Sequence, residues 1–413
     1  MKILIYSLNF HPELTGIGKY SGELAEWLAK KNHEVRVITA PPYYPNWKIG
    51  DGYKSWIWQF ERLSNVSIWR CPVWIPARPS GIKRILHLLS FALGSIPIIL
   101  LQILWRPSIV LVIEPPLFAA PLAILLAKIC RSHSILHIQD YEIDAAFELG
   151  MLKGARLKNF VLHLEGFLMR SFDVVSTISS SMLNRAKKKG VESKRLLIFP
   201  NWVDVSAFHI TNPEDERFEY RERLGIPHDK IVALYSGNMG AKQGLESLAE
   251  LAIISNSNIN LASVYFVFCG SGVGRNMLLE KTKNLTNVKF LDLQPMDLLP
   301  KFFNMIDIHL LPQRADIADL VMPSKLTGML ASGRPVLASA NAGTELANVL
   351  DGLGIVTEPG NLNALFDGLR MLCSDPSLRL RLGIAGRAYA QNNLDREKLL
   401  FNFESYLLRL VKY

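Results

Sequence analysis

The sequence predicts an α/β protein built from two Rossmann-like, doubly wound parallel-sheet domains facing a cleft, and three observations carry that prediction. The chain has 413 residues, more than a single core of ordinary size holds. Short apolar runs alternate with amphipathic helical stretches twice over, the pattern of strand-helix-strand units in a parallel sheet. Glycine-rich loops stand at the ends of several of those runs, where the ligands of such sheets bind. Hydrophobic residues make up 49% of the chain and no repeat or low-complexity tract interrupts them, which excludes a disordered protein.

The first strand is Ile3–Ser7, and Met1-Lys2 ahead of it leaves no room for a signal peptide. An amphipathic helix follows at Lys19–Lys31, with Leu24, Trp27 and Leu28 on one face, and then a strand at Glu34–Thr39. Further strands are expected at Ser108–Ile113, Ser134–Ile138, Val174–Ile178 and Leu196–Phe199. Between the first strand and the first helix lies HPELTGIGK (11–19). Gly16 and Gly18 there fit a backbone that approaches a phosphate at a helix start, and equally a plain tight turn. The loop is not a dinucleotide fingerprint, since the third glycine is missing and no acidic residue ends the second strand. Asp140, in HIQDYE at a strand end, fits a carboxylate that orients a hydroxyl or steadies positive charge, or a helix N-cap.

Charge divides unevenly. Residues 1–200 hold 25 Lys and Arg against 14 Asp and Glu, whereas the remaining 213 residues hold 21 against 23. Nucleic acid is not the expected partner, because the aromatics are not interleaved with the basic residues as a stacking platform requires. A membrane surface fits better, since the basic half also contains the apolar run Ile85–Leu104, flanked by Lys83-Arg84 and Arg106. That run fits a helix lying at the membrane interface, a buried core helix or a true span; His87, Pro97 and Gln102 within it argue against the span. Cys71, Cys130, Cys269 and Cys373 are far apart and show no metal spacing, so a reduced, cytoplasmic setting on the inner face of the membrane is expected.

After FPNWVD (199–204) the polar run Asn212–Arg223 reads as an interdomain linker. The expected domains are 1–205 and 206–395, with a C-terminal helix 396–413 packing back on the first. The second strand series is Ile231–Tyr235, Val264–Phe268, Val288–Leu291, Ile306–Leu311, Val336–Ser339 and Gly354–Val356. Two of its strands end in glycine loops: SGNMGAKQG (236–244), with Asn238 and Lys242, and CGSGVGR (269–275), with Gly270. The stretch from Asp319 to Glu345 carries a short helix, Ser324–Ala331, started by Pro323 and stopped by Gly333-Arg334-Pro335. A buried strand and the small-residue loop Ala340–Thr344 follow it, so that Ser324, Lys325, Gly343, Thr344 and Glu345 are candidate contacts to an anionic ligand. Taken together, the glycine loops of the two halves point to a sugar nucleotide gripped between domains.

These residues resemble a known family. HPELTGIGKY (11–20), HEVRVITAPPYYPNW (33–47), LHIQDYEIDA (136–145), STISSSM (176–182), FPNWVD (199–204), YSGNMGAKQGLE (235–246) and VMPSKLTGMLASGRPVLA (321–338) are similar to segments of GT-B glycosyltransferases of the large retaining family 4. More narrowly they resemble the colanic-acid-type exopolysaccharide fucosyltransferases. The resemblance implies a nucleotide-diphosphate sugar held mainly by the C-terminal domain, an acceptor on the N-terminal domain, and transfer with retention. A GDP-sugar and L-fucose come from the narrower resemblance; Gln294 is expected near the base, where the residues around it, Leu293 to Pro295, do not decide between guanine and uracil. Two departures stand out. Leu320 and Gly328 occupy the positions of the wider family's two glutamates, leaving Asp316, Asp319 and Ser324 as the nearest polar replacements. Asn238 and Gln243 occupy its arginine and lysine positions, with Lys242 displaced by one.

The chemistry required is stabilisation of a departing diphosphate. Gly16 and Gly18 amides from one domain and Lys242, Ser324 and Lys325 from the other are expected to meet there on closure, with Asp140 on the acceptor side or at the sugar's positive face. No metal and no other cofactor is expected, since no DxD-type site is visible and lysines can take a metal's place. The expected acceptor is a glycan on a polyprenyl diphosphate. A transferase using a UDP-sugar such as N-acetyl-fucosamine for O-antigen or capsule, a sugar-nucleotide 2-epimerase and a non-catalytic membrane-bound scaffold are the alternatives.

Overall fold

The computed structural model describes residues 1–13, 16–77, 81–114, 117–141, 155–208, 213–240, 243–295, 297–314 and 323–412. It divides into two compact units: Met1–Asn201 with Lys398–Tyr413, and Trp202–Glu397.

The first unit is built on an eight-stranded sheet in the order β3-β4-β2-β1-β5-β6-β7-β8. Its strands are β1 (Lys2–Ser7), β2 (Glu34–Thr39), β3 (Gln59–Leu63), β4 (Val66–Arg70), β5 (Ile109–Glu114), β6 (His133–Ile138), β7 (Val174–Thr177) and β8 (Leu196–Ile198). All pairings but one are parallel, the exception being the edge strand β3 against β4. Helices α1 (Ile17–Lys30), α2 (Gly81–Trp105), α3 (Ala120–Cys130), α4 (Ala155–Arg170) and α5 (Ser180–Lys188) connect them. Every residue of β5 is buried, which is why central strands of a sheet covered on both faces read as unbroken apolar runs. The β3–β4 hairpin was not anticipated. Leu63 pairs with Val66 across a two-residue turn whose Ser64 and Asn65 both take positive φ (47° and 68°), the backbone that matches strand twist.

The apolar helix α2 packs along the sheet by one side. Its buried residues include His87, Phe91, Ser95, Ile98 and Gln102. Each polar one of these has a partner there: Ser95 bonds the Tyr6 hydroxyl, and Gln102 Oε1 accepts from Arg36 at 3.2 Å. His87 and Gln102, two of the three residues that spoil a membrane span, thus face inward, while Pro97 is exposed on the outward side with Ile82, Leu86, Leu93, Leu100 and Leu104.

The second unit holds a six-stranded, all-parallel sheet in the order β11-β10-β9-β12-β13-β14. These strands are β9 (Ile231–Ser236), β10 (Val264–Cys269), β11 (Val288–Leu291), β12 (Ile308–Leu311), β13 (Val336–Ser339) and β14 (Gly354–Thr357). Around them lie α6 (Pro213–Arg223), α7 (Leu245–Ser257), α8 (Arg275–Thr282), α9 (Leu299–Asn304), α10 (Lys325–Ala331), α11 (Glu345–Leu350), α12 (Leu362–Ser374) and α13 (Pro376–Asn393). Two apolar clusters cover the faces of the sheet, one around Val232, Leu234 and Phe302, the other around Ala233, Tyr235 and Phe266.

The polar run read as a linker is a correction: residues from Pro213 onward form α6, a helix of the second unit. Polarity misled there because Arg221 is buried by design of its partners. Its Nε donates to Met305 O at 2.7 Å, its Nη1 to Lys230 O at 3.1 Å, and its Nη2 to Asp307 Oδ2 at 2.8 Å. Asp307 carries a second ion pair to Arg217, and together the two guanidinium groups hold its carboxyl below the usual range against the burial that opposes them.

The last helix, α14 (Arg396–Lys412), returns the chain to the first unit. Phe403 stacks on Phe199 with ring centroids 4.0 Å apart, and Glu404 Oε1 pairs with His33 Nε2 at 2.7 Å.

Candidate functional site

In the second unit the strands β9, β10, β12 and β13 all end at one sheet edge, and the loops leaving them form the candidate site. The loop after β9 turns through Gly237, whose φ of 131° favours glycine. It is then zipped to the loop after β10: Gly237 N–H donates to Cys269 O at 2.9 Å, Met239 N–H to Ser271 O at 2.8 Å, and Gly274 N–H to Met239 O at 2.8 Å. Contact is so close that a Cβ on Gly270 would lie 2.0 Å from the Gly237 carbonyl oxygen. Gly270, singled out as a substrate contact, is glycine because one loop lies directly on the other.

Against this platform stands Lys325, the first residue of α10. Its Nζ donates to Gln243 Oε1 at 2.9 Å and to the Tyr235 hydroxyl at 3.2 Å, and lies 4.3 Å from the centroid of the Tyr235 ring. Tyr235 in turn donates to Asn238 O at 2.7 Å, which fixes its hydroxyl as an acceptor for the lysine. Among the described residues no carboxylate pairs with Lys325. Burial therefore lowers its pKa to about 7, even though the residue as a whole keeps partial exposure. A cation crowded by neutral partners at a strand-end edge is what an incoming diphosphate would relieve. Tyr235 and Gly237 escaped the sequence reading; the tyrosine ending a strand just before a glycine loop was the available signal.

The remaining candidates on this unit spread over the same edge. Ser324 stands exposed at the start of α10, its carbonyl accepting from Thr327 Oγ1 at 2.9 Å. Gly328, where the wider family has a glutamate, faces Phe303: a Cβ there would lie 3.2 Å from the Phe303 ring, so that flank is aromatic rather than acidic. Thr344 is the N-cap of α11, accepting from Ala347 N–H at 3.3 Å and donating to Asn341 O at 2.7 Å. Gly343 ahead of it has φ 80° with open space where a side chain would be, and Glu345 begins α11 half-buried. Asn238 is exposed in the zipped loop, and Gln294 accepts from the Tyr220 hydroxyl at 3.2 Å. Lys242 and Asp319 lie outside the described residues, as do Asp316 and Leu320.

In the first unit Gly16 caps α1 at φ 59° with nothing within 4 Å of where its side chain would be. Gly18 has a different reason for being glycine, because a Cβ there would meet Glu13 Cβ at 2.6 Å. Glu13, which the sequence reading passed over, ties two loops together: its Oε1 accepts from Tyr43 N–H at 3.0 Å and Tyr44 N–H at 2.9 Å, and its Oε2 from Asn9 Nδ2 at 2.9 Å. Burial raises its pKa while those three bonds pull the other way. A carboxylate inside a glycine-bearing loop was its signal. Asp140 follows β6 half-buried, two residues beyond the buried Ile138 that ends the strand. The neighbouring His137 is structural, bonded through Nδ1 to Ser176 Oγ at 2.6 Å and kept neutral by burial, which takes its pKa down to about 3.

Both units match known sequence families. Residues 15–202 match the glycosyl transferase 4-like domain, and residues 216–389 match glycosyl transferases group 1. The chain belongs to this glycosyltransferase family. The transferase is 40% identical over 412 residues to the putative colanic acid biosynthesis glycosyl transferase WcaI of Escherichia coli strain K12, covering 98% of each chain. It is 28% identical over 227 residues to a GDP-mannose-dependent phosphatidylinositol monomannoside mannosyltransferase of Corynebacterium glutamicum, covering 53% of this chain and 58% of that one. Among solved structures its fold resembles sucrose-phosphate synthase from Thermosynechococcus elongatus (TM-score 0.75, 15% identity, 99% of both chains). It also resembles HepE from Anabaena in complex with UDP and glucose (TM-score 0.72, 12% identity, 99% of this chain and all of that one). The transferase thus has the GT-B fold of two parallel-sheet α/β domains.

Proposed function

We propose that the transferase moves a sugar, L-fucose from GDP-L-fucose, with retention onto a polyprenyl-diphosphate-linked oligosaccharide in the assembly of a colanic-acid-like exopolysaccharide. The observation that carries this reading is Lys325: an ammonium held by a tyrosine and a glutamine, with no carboxylate partner among the described residues, on a strand-end loop platform. As the diphosphate leaves, its growing charge is met by a cation already in place, which is where fixed donors contribute most. Ser324 beside it supplies a hydroxyl. Lys242 is assigned to the same diphosphate, Gly16 and Gly18 to its other side, and Asp140 to the acceptor hydroxyl or the sugar's positive face.

Full-length similarity to the colanic acid transferase supports the pathway, and the GDP-mannose-dependent relative supports a GDP donor over the UDP bound by HepE. For the lipid-linked acceptor and a peripheral position on the inner face of the plasma membrane, the support is the basic first half and the outward leucines of α2, joined by exposed Leu125 and Ile129 on α3 and Phe160, Leu164 and Phe167 on α4.

Thermal denaturation with GDP, UDP and ADP tests the donor. At a hundredfold excess over Kd the preferred nucleotide should raise the melting temperature by about 5–10 °C. A rise with GDP that Lys325→Ala abolishes fits the proposal. A rise with UDP alone redirects it to a UDP-sugar, and no rise with any nucleotide refutes the transferase assignment of this site in favour of a scaffold.

A further inference from the structure

On the first unit a pocket of about 630 Å³ opens among three tryptophans, Trp47, Trp56 and Trp74, with Lys48, Ser55 and Ser90 in its wall. Its walls come from the segments that follow β2 and β4, two parallel neighbours whose carboxyl ends share one sheet edge, and from the early turns of α2. Ligands of open α/β sheets bind at that edge.

The walls are built rather than incidental. His87 of α2 bridges them, its Nδ1 donating to Trp74 O at 2.7 Å and its Nε2 accepting from the Tyr43 hydroxyl at 3.0 Å. Trp74 N–H donates to Ser90 Oγ at 2.9 Å, and Val73 N–H to Ser55 O at 2.8 Å. Trp47 is wedged edge-on against Tyr43, with ring centroids 5.5 Å apart, and 5.3 Å from His87. By contrast Trp56 and Trp74 stand 70% and 46% exposed. By comparison two other indoles of the unit are committed: Trp58 Nε1 donates to Gly94 O and Trp105 Nε1 to Glu34. Among the described residues the ring nitrogens of Trp56 and Trp74 and the Lys48 ammonium have no protein partner, and no carboxylate lines the pocket.

Resting on the transferase reading above, we infer that this pocket is the acceptor-recognition subsite, and that it holds the sugar residue of the lipid-linked acceptor stacked on Trp56 and Trp74. Flat aromatic faces beside free donors suit a pyranose ring, whose C–H face carries the positive polarity that an indole face attracts and whose hydroxyls accept from indole N–H groups. Lys48 at the rim suits the phosphate that follows the sugar, and Ser90 places the pocket beside the outward leucine row of α2, along which a lipid tail would run. A prenyl chain alone would leave the indole N–H groups, Ser55 and Lys48 without use.

Saturation-transfer NMR on the protein tests this, with octyl β-D-glucoside and octyl β-D-galactoside below their micelle concentrations as sugar probes and 1-octanol as the chain-only probe. The ring protons of at least one glycoside should receive saturation as strongly as its methylenes, and binding should weaken about 2- to 12-fold in Trp56→Ala and again in Trp74→Ala. Trp56→Phe, which keeps a ring, should restore most of it. Saturation confined to methylenes, 1-octanol binding as well as the glycosides, or wild-type binding in both alanine variants would overturn the subsite. A wild-type circular-dichroism spectrum and near-wild-type urea unfolding confirm that each variant is folded, independently of the nucleotide-induced thermal shift, which depends on the other unit. Absence of that shift alongside a tryptophan-dependent sugar signal would remove the donor reading and leave the pocket a sugar site.

Discussion

Raising the pH from 7 to 9 should weaken nucleotide-sugar binding in the wild-type protein and leave it nearly unchanged in Lys325→Met. With its pKa lowered to about 7, Lys325 is half protonated at pH 7 and about one-hundredth protonated at pH 9, so if the charged form binds the diphosphate, affinity falls about 50-fold across that window. The sugar nucleotide's own diphosphate is fully ionised throughout, and its guanine N1–H begins to ionise only at the alkaline end, a small term that wild type and Lys325→Met share, so the difference between their slopes reports the lysine. Stability of the free protein should move the opposite way. Because the folded pKa lies below the unfolded 10.5, the unfolded chain binds the extra proton between those values, and stability rises with pH from about 7 to 10.5. Lys325→Met should flatten that rise as well. Titration calorimetry with GDP-L-fucose at each pH, paired with urea unfolding, reads both. Affinity independent of pH, or an equal slope in the methionine variant, would refute the assignment of Lys325 to the diphosphate.

Two further outcomes test the scaffold. Gly270→Ala should cost about 2–4 kcal/mol, since its Cβ would sit 2.0 Å from a carbonyl oxygen at φ 142°, whereas Gly244→Ala, in the left-handed helical region at φ 62° and ψ 37° with its Cβ in ordinary contact, should cost only about 1 kcal/mol; urea midpoints that rank them otherwise contradict the zipped-loop account. Arg221→Met should destabilise the second unit by about 3–5 kcal/mol, because Asp307 would keep a buried charge with one pairing lost, and a melting curve indistinguishable from wild type would count against that account.

Much of the fold was readable because its central strands are covered on both faces, so that runs such as Ile109–Glu114 announce themselves by apolarity alone. What lay outside that signal was missed. Strand β3 sits at an edge with its residues partly or fully exposed, and α6 reads as polar although Arg221 within it is buried against carbonyls and Asp307. The same limit applies to the site. Ser324-Lys325 at a helix start was legible as local pattern. The partners that define Lys325 lie 82 and 90 residues away in sequence, and no local periodicity encodes such a meeting. Glycines divide likewise: sequence marks Gly18 and Gly270 as special, and Glu13, which explains the first, stands in the same loop, whereas Gly237, which explains the second, belongs to another segment of chain.

The return of α14 to the first unit has a consequence for how the protein is made. Leu400, Phe403 and Leu407 complete a core whose other members, Phe199 among them, leave the ribosome before the intervening 202–397 are synthesised. At about 5–20 residues per second that interval lasts about 10–40 s. Throughout it the first unit carries an uncovered apolar strip that α14 closes only later, and the second unit, contiguous in sequence, can finish folding first.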